Sequence, residues 1–416
     1  MDLVGLLASA LLVLSCSGGL TPHPTWTQPT PPDVIIIILD DVADSDVDAV
    51  AVPSIQNPVR GLPNIMALAA QGMRCRRWYA HNWCSPTRDS LMYSRWLGDQ
   101  HGAWACSLPE ARSLDLGAYG MAHAFQDAGY HTAVLGKWHW GVNADGSAWE
   151  TAPAAMGFEH AAALWPIPST CQTPNTTNIS IQIRDAFLSW WAATPGPRFA
   201  VLSFEAAHAP WSYPPLSLLP PGYPIKSPGS PLLTNRVLYE AELVGADTAI
   251  GSILSVLDDG DVRIVMGDNG TPGADNGSHA QDATRDDQDP EKVKLTCFED
   301  GVRIPFIVAG PGIPAGVENH ALGSVIDILP TLLQFCGIPQ AQPLDGVAGP
   351  HDLVFCWGGQ TLDSAIIGSR WKLHTKNDGT EELYDLQTDP HELLPLPAIG
   401  PVAAFMRTRR LSILGH

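Results

Sequence analysis

The apolar run VIIIIL at residues 34–39, followed at once by Asp40-Asp41, decides the fold class of this 416-residue chain. Six consecutive apolar and mostly β-branched residues predict a strand buried on both faces, as in a parallel sheet covered by helices. A second short apolar stretch, residues 263–266, leads in a similar way into Asp268-Asn269. Open α/β sheets bind their ligands beyond the carboxyl ends of the strands. The sequence therefore predicts an α/β fold, with a mostly parallel central sheet sandwiched by helices and a polar site at the carboxyl ends of its strands.

The side chains that follow these two strands predict a metal site. They supply three carboxylates and one amide oxygen, from Asp40, Asp41, Asp268 and Asn269. Hard oxygen donors of this kind bind Ca²⁺ or Mg²⁺, whereas a zinc site would need a cluster of histidine and cysteine ligands. An Asp-Asp turn and an Asn-Gly turn are the structural alternatives. We expect one divalent cation, with Ca²⁺ as the first choice and Mg²⁺ as the second.

Four basic side chains occupy loop positions of the same kind. Lys137 and His139 follow the strand-like run at residues 131–135, His208 follows the run at 199–204, and Lys294 precedes the segment that begins at Glu299. A single histidine or lysine is more often a surface or core residue than a catalytic one. Together, however, these four side chains on loops after strands indicate an anion site built on a rigid scaffold.

The pentapeptide Cys84-Ser85-Pro86-Thr87-Arg88 indicates the chemistry. An isolated cysteine beside a turn proline is usually a small buried thiol. Here the Cys-x-Pro-x-Arg spacing occurs in order with the acidic and basic residues described above. On these motifs the chain resembles the type I sulfatases of the alkaline-phosphatase superfamily, over about 350 residues from Asp40 to Glu392.

The resemblance implies an alkaline-phosphatase-like fold and a modified nucleophile. A formylglycine-generating enzyme or an anaerobic sulfatase-maturating enzyme would oxidise Cys84 to formylglycine, which would also be a metal ligand. Arg88 would orient the modified residue and balance its charge. The products would be an alcohol and inorganic sulfate, released from a sulfated small molecule or glycan.

The resemblance also implies roles for the four basic side chains. Lys137 and Lys294 would balance the charge that develops on the sulfate oxygens. His208 would protonate the departing alcohol, and His139 would accept the proton whose removal expels sulfate. Two alternatives stay open, namely a phosphonate monoester or phosphodiester hydrolase of the same superfamily, and a non-catalytic lipoprotein that binds sulfated glycans.

The chain ends and the composition predict domains and location. Residues 1–16 resemble a signal peptide that ends in a lipobox with Cys16 as the lipidated residue, and 17–32 form a Pro/Thr-rich tether. We assign 33–349 to the catalytic domain and 350–416 to a small antiparallel subdomain. The protein should therefore be exported, to the periplasm or the outer cell surface. The net charge is −20 and no stretch of the sequence resembles a basic stripe, so we expect no nucleic-acid partner.

Two other features leave alternatives open. The stretch between Asn269 and Lys294 is strongly acidic, which favours a solvated loop over a site for a second cation or a cationic substrate group. Six further cysteines could form disulfides in an oxidising compartment, but the sequence does not define which would pair. They are Cys75, Cys106, Cys171, Cys297, Cys336 and Cys356.

Overall fold

The computed structural model describes residues 31–54, 57–96, 118–140, 152–165, 178–273, 284–357 and 363–414. The predicted signal peptide, Cys16 and nearly all of the predicted tether lie outside these residues. The helices span Asp44–Ala51, Pro63–Gln71, Cys84–Tyr93, Met121–Asp127, Ala152–Ala155, Ile179–Ala193, Asn235–Leu254, Glu299–Val302, Ile328–Cys336 and Gly400–Leu414. No described helix combines the length and the apolar composition that crossing a membrane requires.

The largest sheet has eight strands in the described chain. In sequence order its strands are β1 (Val34–Leu39), β2 (Met73–Cys75), β4 (His131–Lys137), β5 (His160–Trp165), β6 (Arg198–Ser203), β7 (Val262–Gly267), β9 (Phe306–Ala309) and β10 (Val317–Asn319). Their spatial order is β10-β2-β9-β7-β1-β6-β4-β5. Only β9 runs antiparallel to its two neighbours. The predicted mostly parallel sheet is confirmed. A small sheet beside it joins β3 (Trp78–Tyr79), β8 (Arg303–Ile304) and β11 (Gly323–Ser324).

Strand β1 occupies the centre of the large sheet, between β7 and β6. Its alternate residues enter two different cores: Ile35 and Ile37 pack in one, and Ile36 and Ile38 pack in the other. Successive side chains of a strand point to opposite faces of the sheet, so a strand covered by helices on both faces needs apolar residues at every position. This requirement explains the uninterrupted apolar run and places the Asp40-Asp41 pair at the middle of the sheet's carboxyl edge.

The C-terminal part of the chain forms the predicted antiparallel sheet. Its strands, in consecutive order, are β12 (Leu353–Trp357), β13 (Ser364–Gly368), β14 (Trp371–Thr375), β15 (Glu381–Asp385) and β16 (Leu396–Pro397). The sequence analysis missed the helix Gly400–Leu414, which packs Ala403 and Met406 on the apolar face of this sheet. The prediction of strands alone in this part was therefore incomplete.

The backbone conformation of Ser94 determines where the helix of the cysteine motif ends. The helix after the cysteine motif begins at Cys84 and ends at Tyr93, because Ser94 adopts a left-handed conformation with φ of 52°. A left-handed residue ends a helix while its amide still bonds to the last turn, here to Ser90 O.

The cysteines with open pairing are free thiols where the structure describes them. These are Cys75, Cys297, Cys336 and Cys356, whereas Cys106 and Cys171 lie outside the described residues.

Candidate active site

Cys84 begins a helix whose first turn faces the carboxyl edge of the large sheet. Its Sγ atom lies 3.4 Å from Asp40 Oδ1 and 3.9 Å from Asp41 Oδ1, both at the end of β1. The thiol is 1% exposed, and burial together with the charge of Asp268 raises its pKa well above the ordinary value. An unmodified thiol in this position is therefore a poor nucleophile, since the thiolate is the reactive form.

Two lysines converge on the same sulfur atom. The ammonium groups of Lys137, at the end of β4, and of Lys294 each lie 3.6 Å from Cys84 Sγ. Lys137 also forms an ion pair with Asp40, and Lys294 Nζ lies 2.5 Å from Asp41 Oδ1. Burial alone would lower the lysine pKa values, but the neighbouring carboxylates outweigh it and raise both. Both side chains are therefore cationic, and their ammonium groups lie next to the place that an anion at position 84 would occupy.

Arg88 lies one helical turn after Cys84 and is fully buried. Its Nε and Nη2 atoms donate to Asp268 Oδ2 at 3.0 and 2.8 Å, and its Nη1 donates to Ser203 Oγ at 2.5 Å. Trp140 Nε1 donates to the Arg88 carbonyl at 2.8 Å, and the guanidinium lies 5.4 Å from the Trp140 ring. Arg88 is thus held from three sides and fixes the helix that carries Cys84 against the sheet.

The carboxylates and the amide predicted as metal ligands lie around Asp41. Asn269 Nδ2 donates to Asp41 Oδ1 at 2.8 Å, and the Asp41 amide donates to Asp268 Oδ1 at 3.2 Å. Asp41 has a φ of 61°, a left-handed conformation that is costly for a residue other than glycine and is typical of functional sites. The pKa of Asp41 stays below its ordinary value, because Lys294 and His208 outweigh the effect of burial.

These residues fit a hard divalent cation. Asn269 is fully buried, and its Oδ1 atom has no hydrogen-bond partner in the described chain. Ligand atoms of Asp40, Asp41, Cys84 and His208 lie within 4.8 Å of one another. The structure thus adds His208 to this group, while Asp268 Oδ2 is directed to Arg88. An orphaned amide oxygen beside ionised carboxylates is a donor set that Ca²⁺ or Mg²⁺ would satisfy.

The two predicted catalytic histidines contact different residues of the site. His208 Nε2 lies 3.7 Å from Asp41 Oδ2, and its Nδ1 lies 2.5 Å from Ala209 O. His139 Nε2 lies 3.5 Å from Ser85 Oγ, and its Nδ1 is without a partner among the described residues. Burial lowers both pKa values; for His139 the nearby Lys137 lowers it further, whereas for His208 the charge of Asp41 raises it. Both imidazoles are therefore shifted toward the neutral form, because both pKa values lie below the ordinary value, that of His139 further below than that of His208.

The structure brings all six predicted catalytic residues to one place and adds three side chains that the sequence analysis did not assign. Ser203 accepts from Arg88, Ser85 contacts His139, and the Trp83 ring lies 5.0 Å from the Lys294 ammonium. Ser85 and Trp83 adjoin Cys84 in the sequence, so their proximity was a usable signal. Ser203 had none, because a serine at the end of a buried strand is ordinary.

Comparison with known proteins identifies relatives over most of the chain. Residues 32–338 match the Sulfatase family model. The N-acetylgalactosamine-6-sulfatase of Canis lupus familiaris is 27% identical over 399 residues, which covers 86% of this chain and 71% of that protein. The solved structure of Ps i-CgsB in complex with k-i-k-neocarrahexaose has a TM-score of 0.75 at 20% identity, covering 92% of this chain and 93% of that one. A phosphonate monoester hydrolase from Silicibacter pomeroyi has a TM-score of 0.67 at 19% identity, covering 92% and 95%.

Proposed function

The chain belongs to the sulfatase family and is a sulfuric ester hydrolase, and we propose that it acts with a formylglycine made from Cys84 and one divalent cation. The cation is Ca²⁺, with Mg²⁺ as second choice, bound by Asp40, Asp41, Asp268 and Asn269 together with the modified residue 84. The observation that carries this proposal is the set of four charged groups within 4 Å of Cys84 Sγ. Two carboxylates and two ammonium groups around one buried atom supply what metal-assisted attack on an anionic ester needs.

Each bound group supplies a different part of the chemistry. A divalent cation held by Asp40, Asp41, Asp268 and Asn269 would polarise sulfate oxygens, and the hydrated aldehyde of formylglycine would provide the nucleophilic oxygen. Lys137 and Lys294 place positive charge beside position 84, where the equatorial sulfate oxygens gain negative charge in the transition state. Because the two ammonium groups are already fixed by ion pairs, they need little reorganisation when the substrate binds.

The two histidines divide the proton transfers. His208 Nδ1 donates to the Ala209 carbonyl, which leaves Nε2 beside Asp41. Once Nε2 has taken up a proton, it passes that proton to the departing alcohol. His139 is neutral because burial and the surrounding cations lower its pKa, so its Nε2 is suited to accept a proton from the group at position 84. Arg88 does not react; it positions residue 84 through Asp268 and Ser203.

The proposal also includes a substrate class, a maturation enzyme and a cellular location. The substrate is a sulfated small molecule or glycan, and a formylglycine-generating or anaerobic sulfatase-maturating enzyme is the required partner for position 84. We also propose export to the periplasm or the outer surface, with a lipid anchor at Cys16. Metabolic labelling with a fatty acid tests the anchor: the label should be lost in Cys16→Ser, and retention of the label would contradict it.

The modification of Cys84 is tested directly by mass spectrometry. The tryptic peptide that contains position 84 should carry an aldehyde in active protein, and Cys84→Ala should abolish release of sulfate from an aryl sulfate. Cys336→Ala is the matched control, since Cys336 is a free, half-buried thiol at the end of the helix Ile328–Cys336. Unmodified cysteine in fully active protein would refute the mechanism. Faster turnover of a phosphonate monoester than of the matched sulfate would favour the phosphonate hydrolase instead.

The metal site is tested by stoichiometry. Asn269→Ala removes the orphaned oxygen without removing a charge, and it should lower the Ca²⁺ bound per chain, as measured by mass spectrometry of the metal. Asn64→Ala is a comparable change outside the predicted ligand set, where Asn64 Nδ2 donates to Asp247. Equal metal content in both variants would contradict the ligand assignment. If the protein binds sulfated glycans but releases no sulfate with any added metal ion, the non-catalytic alternative is favoured instead.

A further inference from the structure

Asp46 is a fully buried carboxylate that joins segments distant from one another in the sequence. It lies in the helix Asp44–Ala51, five residues after Asp41, and is 0% exposed. Its Oδ2 atom accepts hydrogen bonds from two hydroxyls, Tyr239 Oη at 2.9 Å and Thr271 Oγ1 at 2.5 Å. Each hydroxyl leads to one of the two loops that carry the predicted metal ligands.

Tyr239 connects Asp46 to the loop after β1. Its hydroxyl lies 3.0 Å from the Asp41 carbonyl oxygen, and the side chain is 0% exposed. The single hydroxyl proton is therefore shared between this carbonyl and the Asp46 carboxylate. A left-handed residue such as Asp41, with a φ of 61°, persists only where its surroundings over-determine the conformation. The contact of Tyr239 with the carbonyl supplies part of that constraint.

Thr271 connects Asp46 to the loop after β7. It lies two residues after Asn269 and is 0% exposed. Its Oγ1 donates to Asp46 and accepts from Gln288 Nε2 at 3.0 Å, so the hydroxyl has both a donor and an acceptor. The Thr271 carbonyl accepts from the Lys294 amide at 2.9 Å. The position of this loop is therefore tied to the same carboxylate, and the chain at Lys294 is tied to the loop.

The second oxygen of Asp46 pairs with two arginines. Oδ1 lies 2.7 Å from Arg236 Nη1 and 3.0 Å from Arg285 Nη1. Burial alone would raise the pKa of Asp46, but the two guanidinium groups outweigh it and hold the pKa below the ordinary value. An ionised carboxylate accepts hydrogen bonds at both oxygens, whereas an amide accepts at only one of its two positions. The arrangement around this side chain therefore suits aspartate and not asparagine.

We propose that Asp46 is a positioning residue, which holds the loops of Asp41 and Asn269 at a fixed spacing before the cation binds. Tyr239 and Thr271 transmit this constraint to the two loops. The inference rests on the proposed function, because it takes the cation to bind at Asp41 and Asn269. Groups that orient metal ligands without contacting the ion change its affinity by about 10-fold to 100-fold when they are removed.

Calcium titration of the metal-stripped full chain by isothermal calorimetry tests the proposal without turnover. Asp46→Asn should weaken Ca²⁺ binding by about 10-fold to 100-fold. The matched control is Asp44→Asn in the same helix, since Asp44 is 1% exposed and pairs instead with Arg74 and Arg76. It should change the affinity by less than about 2-fold, because sites without shared partners couple weakly. Circular dichroism selects a temperature at which both variants are folded.

Two variants that remove no charge separate positioning from electrostatic attraction. Tyr239→Phe and Thr271→Val each remove one hydroxyl, and each should weaken Ca²⁺ binding by about 3-fold to 10-fold. Thr132→Val is their control, because it removes an equally buried hydroxyl that donates to the Gly157 carbonyl; it should leave the affinity unchanged. The same two variants decide the question if Asp46→Asn does not fold.

The outcomes distinguish the positioning role from the proposed function. Unchanged affinity in either Tyr239→Phe or Thr271→Val, or equal effects of Asp46→Asn and Asp44→Asn, would overturn the positioning role alone. An unaltered chain that binds no divalent cation would overturn it together with the proposed cation. The expected losses of Ca²⁺ affinity in a chain that releases no sulfate from an aryl ester would support the positioning role and count against the proposed function.

Discussion

Substitution of Lys372 should destabilise the junction between the two sheets. Lys372 lies in β14 with 0% exposure, and its Nζ lies 2.9 Å from Glu392 Oε1 and 3.1 Å from Glu299 Oε1. Glu299 begins the segment before β8, and its amide donates to Glu392 Oε2 at 2.6 Å. Lys372→Met keeps most of the side-chain volume but leaves two buried carboxylates without their shared cation. Breaking a buried ion pair in this way costs about 3–5 kcal/mol in the free energy of unfolding.

The same substitution should change the dependence of stability on pH. Burial raises the pKa of Glu392 above its ordinary value, and Lys372 opposes that rise. Without Lys372 the folded-state pKa of this carboxyl rises further, so the folded state binds a proton that the unfolded state releases above about pH 4.3. Stability is then lost as the pH rises and is regained as it falls. The loss in Lys372→Met should therefore be larger at pH 8 than at pH 5.

Urea unfolding followed by tryptophan fluorescence measures both effects. Lys376→Met is the matched control, because Lys376 is 38% exposed and pairs with the partly exposed Glu382; it should cost less than about 1 kcal/mol. The second variant, Lys372→Met/Glu392→Gln, should recover part of the loss, since it removes one of the uncompensated carboxylates. Equal losses in the two lysine variants, or a loss that grows on acidification, would refute the reasoning.

Three further predictions concern the helix of Cys84 and the active site. Asp89 is fully buried and neither of its carboxylate oxygens has a partner in the described chain, so burial raises its pKa well above the ordinary value. Asp89→Asn should therefore raise the melting temperature, and more at pH 8 than at pH 4. A lower melting temperature of the variant at pH 8 would contradict this prediction. A Cβ atom at Gly270 would lie 1.8 Å from Asp300 O, so Gly270→Ala should reduce bound Ca²⁺ by displacing the neighbouring loop; unchanged metal content would refute the close packing. His208→Ala should slow the hydrolysis of sulfate esters with basic leaving alcohols more than that of esters with activated aryl groups. His139→Ala should accumulate a sulfated adduct at position 84 that is visible by mass. A uniform loss of activity across leaving groups, without an adduct, would show that both roles are wrong.

The sequence predicted the central strands because burial on both faces leaves a continuous apolar run. That signal is strong for β1, whose predicted bounds at residues 34–39 match the structure. The signal was absent for the helix Gly400–Leu414. Among the residues of this helix for which burial is described, Ala403 and Met406 are the buried ones. A helix that buries so little has no clear apolar period, so its packing on the C-terminal sheet could not be predicted from pattern alone.

The sequence could not predict which carboxylate of the site pairs with which cation, and this pairing determines the net charge of the site. Asp40 pairs with Lys137, Asp41 with Lys294 and Asp268 with Arg88, across 97, 253 and 180 residues of chain. The sequence predicted all six side chains, but not that each carboxylate has its own cation, because no local pattern encodes contacts at such separations.

The three carboxylates and three cations cancel in formal charge. The global charge of −20 repels an anionic ester, so a neutral cluster offers little net attraction for sulfate. A bound divalent cation would give the cluster a net positive charge at the point where the sulfate must enter. The carboxylates, in turn, keep the lysines protonated despite their burial, since they raise both lysine pKa values. The pairs therefore keep two ammonium groups charged in a buried site, and with the proposed cation bound the attraction for substrate would depend on the metal rather than on the protein's overall field.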